Sequence, residues 1–111
     1  MSINDLTIGE AKELAAMFGN KQSDSSTHFE LGKGYLIRTV TMIDTGRVIA
    51  VNEHEIVLED AAWIPDTGRF ADALKSAKFN EVEPFPDGKV IIGRGSVIDA
   101  IRFDKLPREQ K

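Results

Sequence analysis

The sequence predicts a mainly β protein of the α+β class, built around a small and strongly bent antiparallel barrel of five strands. Residues 34–60 hold three consecutive runs rich in β-branched side chains with strand-like alternation, separated by turn-forming residues. Such runs are typical of strands with one buried face. A later pair of runs lies at 89–103. Because three strands bury too little surface alone, this pair must close the core.

Length and composition set the class of protein. A chain of 111 residues, 41% of them hydrophobic, is long enough for one domain with a single core. It has no cysteine, which excludes disulfides and thiolate sites. No apolar run is long enough to cross a bilayer, and no signal peptide is evident, so we expect neither membrane association nor secretion. The net charge of −4 argues against a surface devoted to duplex DNA.

Four segments are predicted: an N-terminal amphipathic helix (1–20), a flexible polar linker (21–28), the β-barrel domain (29–104) and a polar tail that we expect to be frayed (105–111). Within the first segment, Thr7 and Glu10 fit a capping box, and an apolar stripe follows. A helix this short is not stable alone. We therefore expect it to dock on its own barrel or, alternatively, on a neighbouring subunit or a partner protein.

Turn-forming residues separate the first three predicted strands. Asp44-Thr45-Gly46 is predicted to be the first turn, because glycine adopts a left-handed backbone conformation at little cost. Residues 52–55 are predicted to form the next hairpin tip.

The long connection before the last two strands is predicted to hold a short helix at 69–77, capped by Asp66 or Thr67. Three apolar residues at helical spacing are expected to cover one open end of the barrel: Phe70, Ala73 and Leu74. Residues 80–88 are acidic and contain proline, which predicts an extended connection that ends in a Pro-Asp-Gly turn.

The segment Gly93-Arg94-Gly95 is the best ligand candidate. Two glycines in a strand suggest a sharp bend or bulge and let an anion approach the backbone. An arginine offers a planar fork for phosphate or a plane for stacking on a base. The same arginine could instead pair with an acidic side chain of a neighbouring strand: Asp99, Asp60 or Glu59. Three other arginines could join the ligand site: Arg38, Arg47 and Arg69.

Other polar and aromatic candidates have plainer predicted roles. His28 and His54 lie in polar segments without metal-ligand spacing. Trp63 is predicted to be a core or subunit-interface residue, with base stacking as the alternative. Because no nucleophile–histidine–acid order and no phosphate-loop motif appears, we expect neither catalysis nor a metal or cofactor.

The order and length of the elements resemble an Sm-like, or SH3-like, barrel. Residues 46–58 are similar to the first Sm motif, and 92–97 (IGRGSV) are similar to the second, where an Arg-Gly pair precedes a small polar residue. In that family this pair and an asparagine of the first motif line a uridine pocket in a six- or seven-membered ring. The resemblance implies a homo-oligomer in which Asn52, Arg94 and Gly95 bind a nucleotide or short RNA.

Nearly the whole chain also resembles a group of small tailed-phage proteins of unknown function. The opening IGEAKEL, the strand IRTVT and the late run IGRGSVIDA carry this resemblance. It implies a phage or prophage origin and a location in the host cytoplasm or in a virion. Two functions remain open: a binding module that sequesters, for example, a host nucleotide signal, or a structural or interaction protein of a phage particle or complex.

Overall fold

Six strands and one helix make up residues 27–111, the part of the chain that the computed structural model describes. The elements are β1 (Gly34–Thr39), β2 (Ile43–Val51), β3 (Glu55–Asp66), α1 (Phe70–Ser76), β4 (Glu81–Pro84), β5 (Val90–Gly93), a 3-10 turn (Arg94–Ser96) and β6 (Val97–Arg102). The mainly β prediction with a short helix in the long connection is confirmed. The strand number is six and not five, because the connection at 80–88 contains β4. The predicted N-terminal helix lies outside the described residues.

The strands form one antiparallel sheet in the order β4-β3-β2-β1-β6, and β5 also pairs with β3. The first half of β3 pairs with β5, and its second half pairs with β4. Between the halves, Asp60 has a positive φ of 50°, and Gly88 on the facing segment has a φ of 73°. The Ala61 N–H donates to the Gly88 carbonyl at 2.9 Å. These two residues bend the sheet strongly where β4 gives way to β5.

The turn between β1 and β2 lies at 40–42, and the turn predicted at 44–46 is wrong. Thr39 closes the turn, because its N–H donates to the Met42 carbonyl at 2.8 Å and its Oγ1 accepts the Met42 N–H at 3.0 Å. Asp44 and Thr45 lie inside β2 and are buried. Gly46 serves close packing, since a Cβ there would lie 2.9 Å from the Leu58 Cβ.

The two faces of the sheet bury two separate cores. The inner core contains Tyr35, Ile37, Val48, Ile56, Leu58, Ala61 and Ile92. The outer core contains Leu36, Ala62, Ile64, Ala73, Phe79, Val82 and Phe103. Strand alternation explains the division, because Leu36 points away from its neighbours Tyr35 and Ile37.

Helix α1 covers the outer core. It buries Ala73 there, and Phe70 and Leu74 are partly buried against the same cluster. The three predicted contact residues are therefore correct, but they cover a face of the sheet and not an open end of the barrel. The predicted cap is also absent: Asp66 accepts the Gly68 N–H at 2.8 Å, and Arg69 occupies the N-cap position without a side-chain hydrogen bond.

The polar tail at 105–111 is attached to the sheet, so the expectation of a frayed tail is wrong. Leu106 is partly buried against the outer core. Lys111 exchanges two main-chain hydrogen bonds of 2.9 Å with Val82 of β4. Arg108 donates to the Ala61 carbonyl at 2.8 Å. The tail thus lies along β4 and covers its outer edge.

Candidate nucleotide-binding surface

Two turns that are far apart in the sequence meet at one end of the sheet. Arg94 lies in the 3-10 turn between β5 and β6, and Asn52 lies in the turn between β2 and β3. The Arg94 Nη1 donates to the Asn52 carbonyl at 2.8 Å, and the Arg94 main-chain N–H donates to the His54 carbonyl at 2.8 Å. The pairing of Glu55 with Gly93 brings both turns to the same place. The structure therefore brings Asn52 and Arg94 together, and we call the β2–β3 turn and the 3-10 turn of Arg94 the joined turns.

The Asn52 side chain shapes the β2–β3 turn. Its Oδ1 accepts the main-chain N–H groups of His54 and Glu55 at 2.8 and 2.9 Å. The Asn52 N–H also donates to the Glu55 carbonyl at 3.0 Å. Asparagine favours this kind of local turn. Asn52 thus fixes the carbonyl that binds Arg94 and leaves the His54 side chain exposed.

The glycines beside Arg94 expose their backbone. A Cβ added at Gly93 or Gly95 would meet no heavy atom within 4 Å. The Ser96 hydroxyl donates to the Gly93 carbonyl at 2.7 Å, which helps to close the turn. The bend predicted at these residues is confirmed as the 3-10 turn, and the open side of Gly95 leaves room for a ligand.

The acidic side chains considered as partners of Arg94 bind other arginines. Asp99 forms an ion pair with Arg38, and the hydrogen bond from that guanidinium lowers the pKa of the Asp99 carboxyl. Glu59 and Asp60 pair with Arg47.

Two other predicted ligand residues do not line the cavity beside Arg94. Arg38 lies on β1, and Arg69 is exposed just before α1. A cavity of about 320 Å³ beside Arg94 is lined by Thr27, His28, Phe29, Tyr35, Arg94, Val97 and Ala100. Neither Arg38 nor Arg69 lines this cavity, so the structure does not place them in the same site.

Trp63 borders a separate groove of about 400 Å³. The indole belongs to β3 and is 38% exposed, so the prediction of a core residue is wrong. The alternatives, a subunit interface or base stacking, remain predictions. Arg38 lines the same groove, and its guanidinium lies 4.9 Å from the centroid of the Phe70 ring.

Asp44 is a buried carboxylate that sequence reasoning missed. It is 5% exposed, and its Oδ1 has no hydrogen-bond partner. Burial raises the pKa of this carboxyl from 3.8 to about 6. The neighbouring Thr45 is also buried, and its Oγ1 has no partner. The sequence predicts a turn at both residues because the turn at 40–42 contains neither glycine nor proline, so no local signal marks it.

Residues 27–111 offer neither a metal site nor a membrane-spanning helix. No group of three or more histidine, aspartate or glutamate side chains in this range could hold a metal ion. No helix in the described part of the chain is long and apolar enough to cross a membrane.

This chain is similar to solved structures of other proteins. No protein-family model matches the sequence, and no curated protein matches it. The chain is similar to a heptameric archaeal Sm protein, with 20% identity and a TM-score of 0.49 over 76% of this chain and 97% of that chain. It is also similar to the SmAP1 heptamer of P. aerophilum, with 19% identity and a TM-score of 0.49 over 78% of this chain and 92% of that chain. These similarities assign no ligand and no assembly to this chain.

Proposed function

We propose that the protein is a homo-oligomeric module that binds a nucleotide or a short single-stranded RNA at the joined turns of Asn52 and Arg94. The observation that carries this proposal is the pair of hydrogen bonds from Arg94 to the β2–β3 turn. Together they hold a guanidinium, the exposed His54 and the open backbone of Gly95 on one surface.

The chemistry of this surface suits phosphate and base together. A guanidinium stays charged, binds phosphate oxygens through its N–H groups and stacks on planar rings. Imidazoles such as that of His54 also stack on unpaired bases. The net charge of −4 disfavours binding to a long duplex, which requires many phosphate contacts. A mononucleotide or a short single strand therefore fits better than double-stranded DNA.

Assembly from several copies is supported by the edges of the sheet. Within residues 27–111, β5 pairs only with β3, and β6 pairs only with β1. Both strands carry exposed apolar side chains, with Ile91 66% and Ile101 46% exposed. Apolar edge strands favour pairing with another chain. Pairing β5 of one copy with β6 of the next produces a ring when the rotation closes.

The binding test compares two glycine variants in which the added methyl group meets no atom of the protein. Gly95→Ala places that group where the ligand approaches, and Gly93→Ala is the matched control. Fluorescence anisotropy with labelled hexanucleotide RNAs should show weaker binding for Gly95→Ala than for Gly93→Ala. Arg94→Lys keeps the charge but loses the planar fork, so we expect about ten-fold weaker binding. Equal affinities for all variants, or no binding by the wild type, would contradict the proposed site.

Native mass spectrometry tests the assembly and the ligand together. We expect a closed oligomer that carries a small nucleotide or RNA mass, released by denaturing extraction. A monomer would contradict the homo-oligomeric part of the proposal.

A second candidate is a structural or interaction protein of a phage particle or complex that has no small ligand. It is favoured by exposed apolar side chains near the β1–β2 turn, where Val40 is 72% and Ile98 is 64% exposed. Patches of this kind often mark protein contacts. The protein would then cofractionate with virions and carry no nucleotide. Recovery from the host cytoplasm with bound nucleotide would instead favour the binding module.

A further inference from the structure

The groove beside Trp63 combines an aromatic platform with polar groups. It lies where the β1–β2 turn, the second half of β3 and the start of β6 come together. Its volume of about 400 Å³ suits a small molecule or a single nucleotide better than a helix of another protein. Its lining is half apolar and half polar among six side chains: Trp63, Met42 and Ile98 are apolar, and Arg38, Thr39 and Thr41 are polar.

Trp63 differs from the buried aromatic residues of the two cores. Tyr35, Phe79 and Phe103 are each no more than 6% exposed, whereas Trp63 is 38% exposed. Its backbone is held inside the sheet, directly paired with Asp44 of β2. The indole is therefore positioned before any ligand arrives, at a low cost in conformational entropy. A partly exposed aromatic ring on a rigid strand is a suitable stacking platform.

The Arg38 guanidinium is a planar group that is held in place, and its charge is compensated by a neighbouring carboxylate. Its guanidinium is paired with the Asp99 carboxylate and packs on the Phe70 ring at 4.9 Å. Because Asp99 compensates the charge, the groove attracts phosphate less than an isolated arginine would. Thr41 adds a hydroxyl group that can donate or accept a hydrogen bond. This chemistry suits an uncharged ring with polar edges.

We propose that this groove binds a nucleobase by stacking on Trp63. The inference rests on the proposed function, since the base belongs to the nucleotide or RNA bound at the joined turns. The two places are connected through the backbone, because the Val40 N–H donates to the Ser96 carbonyl at 3.0 Å and so ties the β1–β2 turn to the turn of Arg94. A short RNA strand bound at Arg94 extends over Val40, and one of its later bases stacks on Trp63.

The single tryptophan makes the groove directly observable. Its fluorescence, excited at the red edge where nucleotides do not absorb, should be quenched when AMP, UMP or a hexanucleotide RNA is added to the full chain. Ribose 5-phosphate lacks a base and should leave the emission unchanged. RNA anisotropy is measured in parallel. Trp63→Phe keeps an aromatic ring and should retain most of the affinity, whereas Trp63→Leu should bind RNA about ten-fold more weakly. Thermal melts of both variants check that they fold.

The combined results separate this inference from the proposed function. If RNA binds without quenching, and Trp63→Leu binds as the wild type does, the groove inference is wrong and the joined-turn site stands. If mononucleotides quench the emission in wild type and in Arg94→Lys, but RNA affinity does not depend on Arg94, the groove stands and the joined-turn site is wrong. No quenching by any base-containing probe, or equal quenching by ribose 5-phosphate, overturns the groove inference and favours a protein contact there.

Discussion

The polar side chains at the two ends of β2 lie in opposite environments. At the far end, the Asn52 Oδ1 accepts two main-chain N–H groups, and the Asn52 main-chain carbonyl accepts a hydrogen bond from the Arg94 guanidinium. At the near end, Asp44 and Thr45 are 5% and 0% exposed, and each has an oxygen without a hydrogen-bond partner. One end of the same strand is thus a hydrogen-bonded turn, and the other keeps polar groups buried at a cost in stability.

The two ends of β2 therefore have opposite effects on stability. The joined turns at Asn52 gain order from their hydrogen bonds, which favours a preorganised ligand site. The buried oxygens without partners at the near end lower the stability of the fold. Asp44 is also the β2 residue paired with Trp63 of β3, which lies at the second proposed site. Buried polar groups without partners are uncommon in folded proteins. Substitutions at the two ends should therefore change stability in opposite directions.

The largest expected effect comes from Asp44→Asn. The pKa of the Asp44 carboxyl is raised by burial from 3.8 to about 6. Because the folded-state pKa lies above the unfolded value, this group's contribution is complete below about pH 4 and is lost as the pH rises through about 6. The loss amounts to roughly 3 kcal/mol. Urea unfolding should therefore show Asp44→Asn gaining stability over wild type by about that amount between about pH 4 and pH 7.

Asp99→Asn is the matched control for Asp44→Asn. The hydrogen bond from Arg38 lowers the pKa of the Asp99 carboxyl, so its contribution is present above the unfolded pKa and is lost as the pH falls. Asp99→Asn should thus be less stable than wild type at neutral pH, whereas Asp44→Asn should be more stable, and both differences should shrink towards acid pH. If the gain from Asp44→Asn did not change with pH, the Asp44 carboxyl would have the same pKa in the folded and unfolded states, and burial would not raise it.

The next effect is a loss of stability at the opposite end of β2. Asn52→Ala removes the acceptor of two main-chain hydrogen bonds and should destabilise the protein by roughly 1–2 kcal/mol. Asn52→Asp keeps an acceptor oxygen and should change stability much less. Urea unfolding measures both variants. RNA affinity should fall with Asn52→Ala, because the carbonyl that holds Arg94 is no longer fixed. Equal stability of the two variants would show that the Oδ1 hydrogen bonds contribute little.

Sequence reasoning succeeded where the residues themselves determine the local structure. Asn52 marks its turn by its own side chain, and Gly93 and Gly95 mark the bend by lacking one. It failed at the turn of 40–42, which is closed by hydrogen bonds between Thr39 and Met42, and at Gly46, which allows close packing on Leu58. The turn contains neither glycine nor proline, and the role of Gly46 depends on a contact between strands.

The two candidate sites also differ in how far the sequence predicts them, because one rests on local residue patterns and the other on contacts between strands. Asn52 and Arg94 belong to a recognisable pattern, and the structure joins them. The groove of Trp63 and Arg38 is assembled from β1, β3 and β6, so its shape depends on the register of the sheet. Arg69 carried no comparable signal, and it lies outside both places.

The smallest expected effect is a gain from Thr45→Val, which replaces a buried hydroxyl by a methyl group of similar size. Thr45 is paired between Leu36 and Ala62 of the outer core, and its Oγ1 has no partner. Removing an unsatisfied polar atom should stabilise the protein by about 1 kcal/mol in urea unfolding, without dependence on pH. Thr41→Val makes the same change at an exposed position and should give no gain. If both variants behave alike, the Thr45 hydroxyl is satisfied in solution, and the contrast between the ends of β2 rests on Asp44 alone.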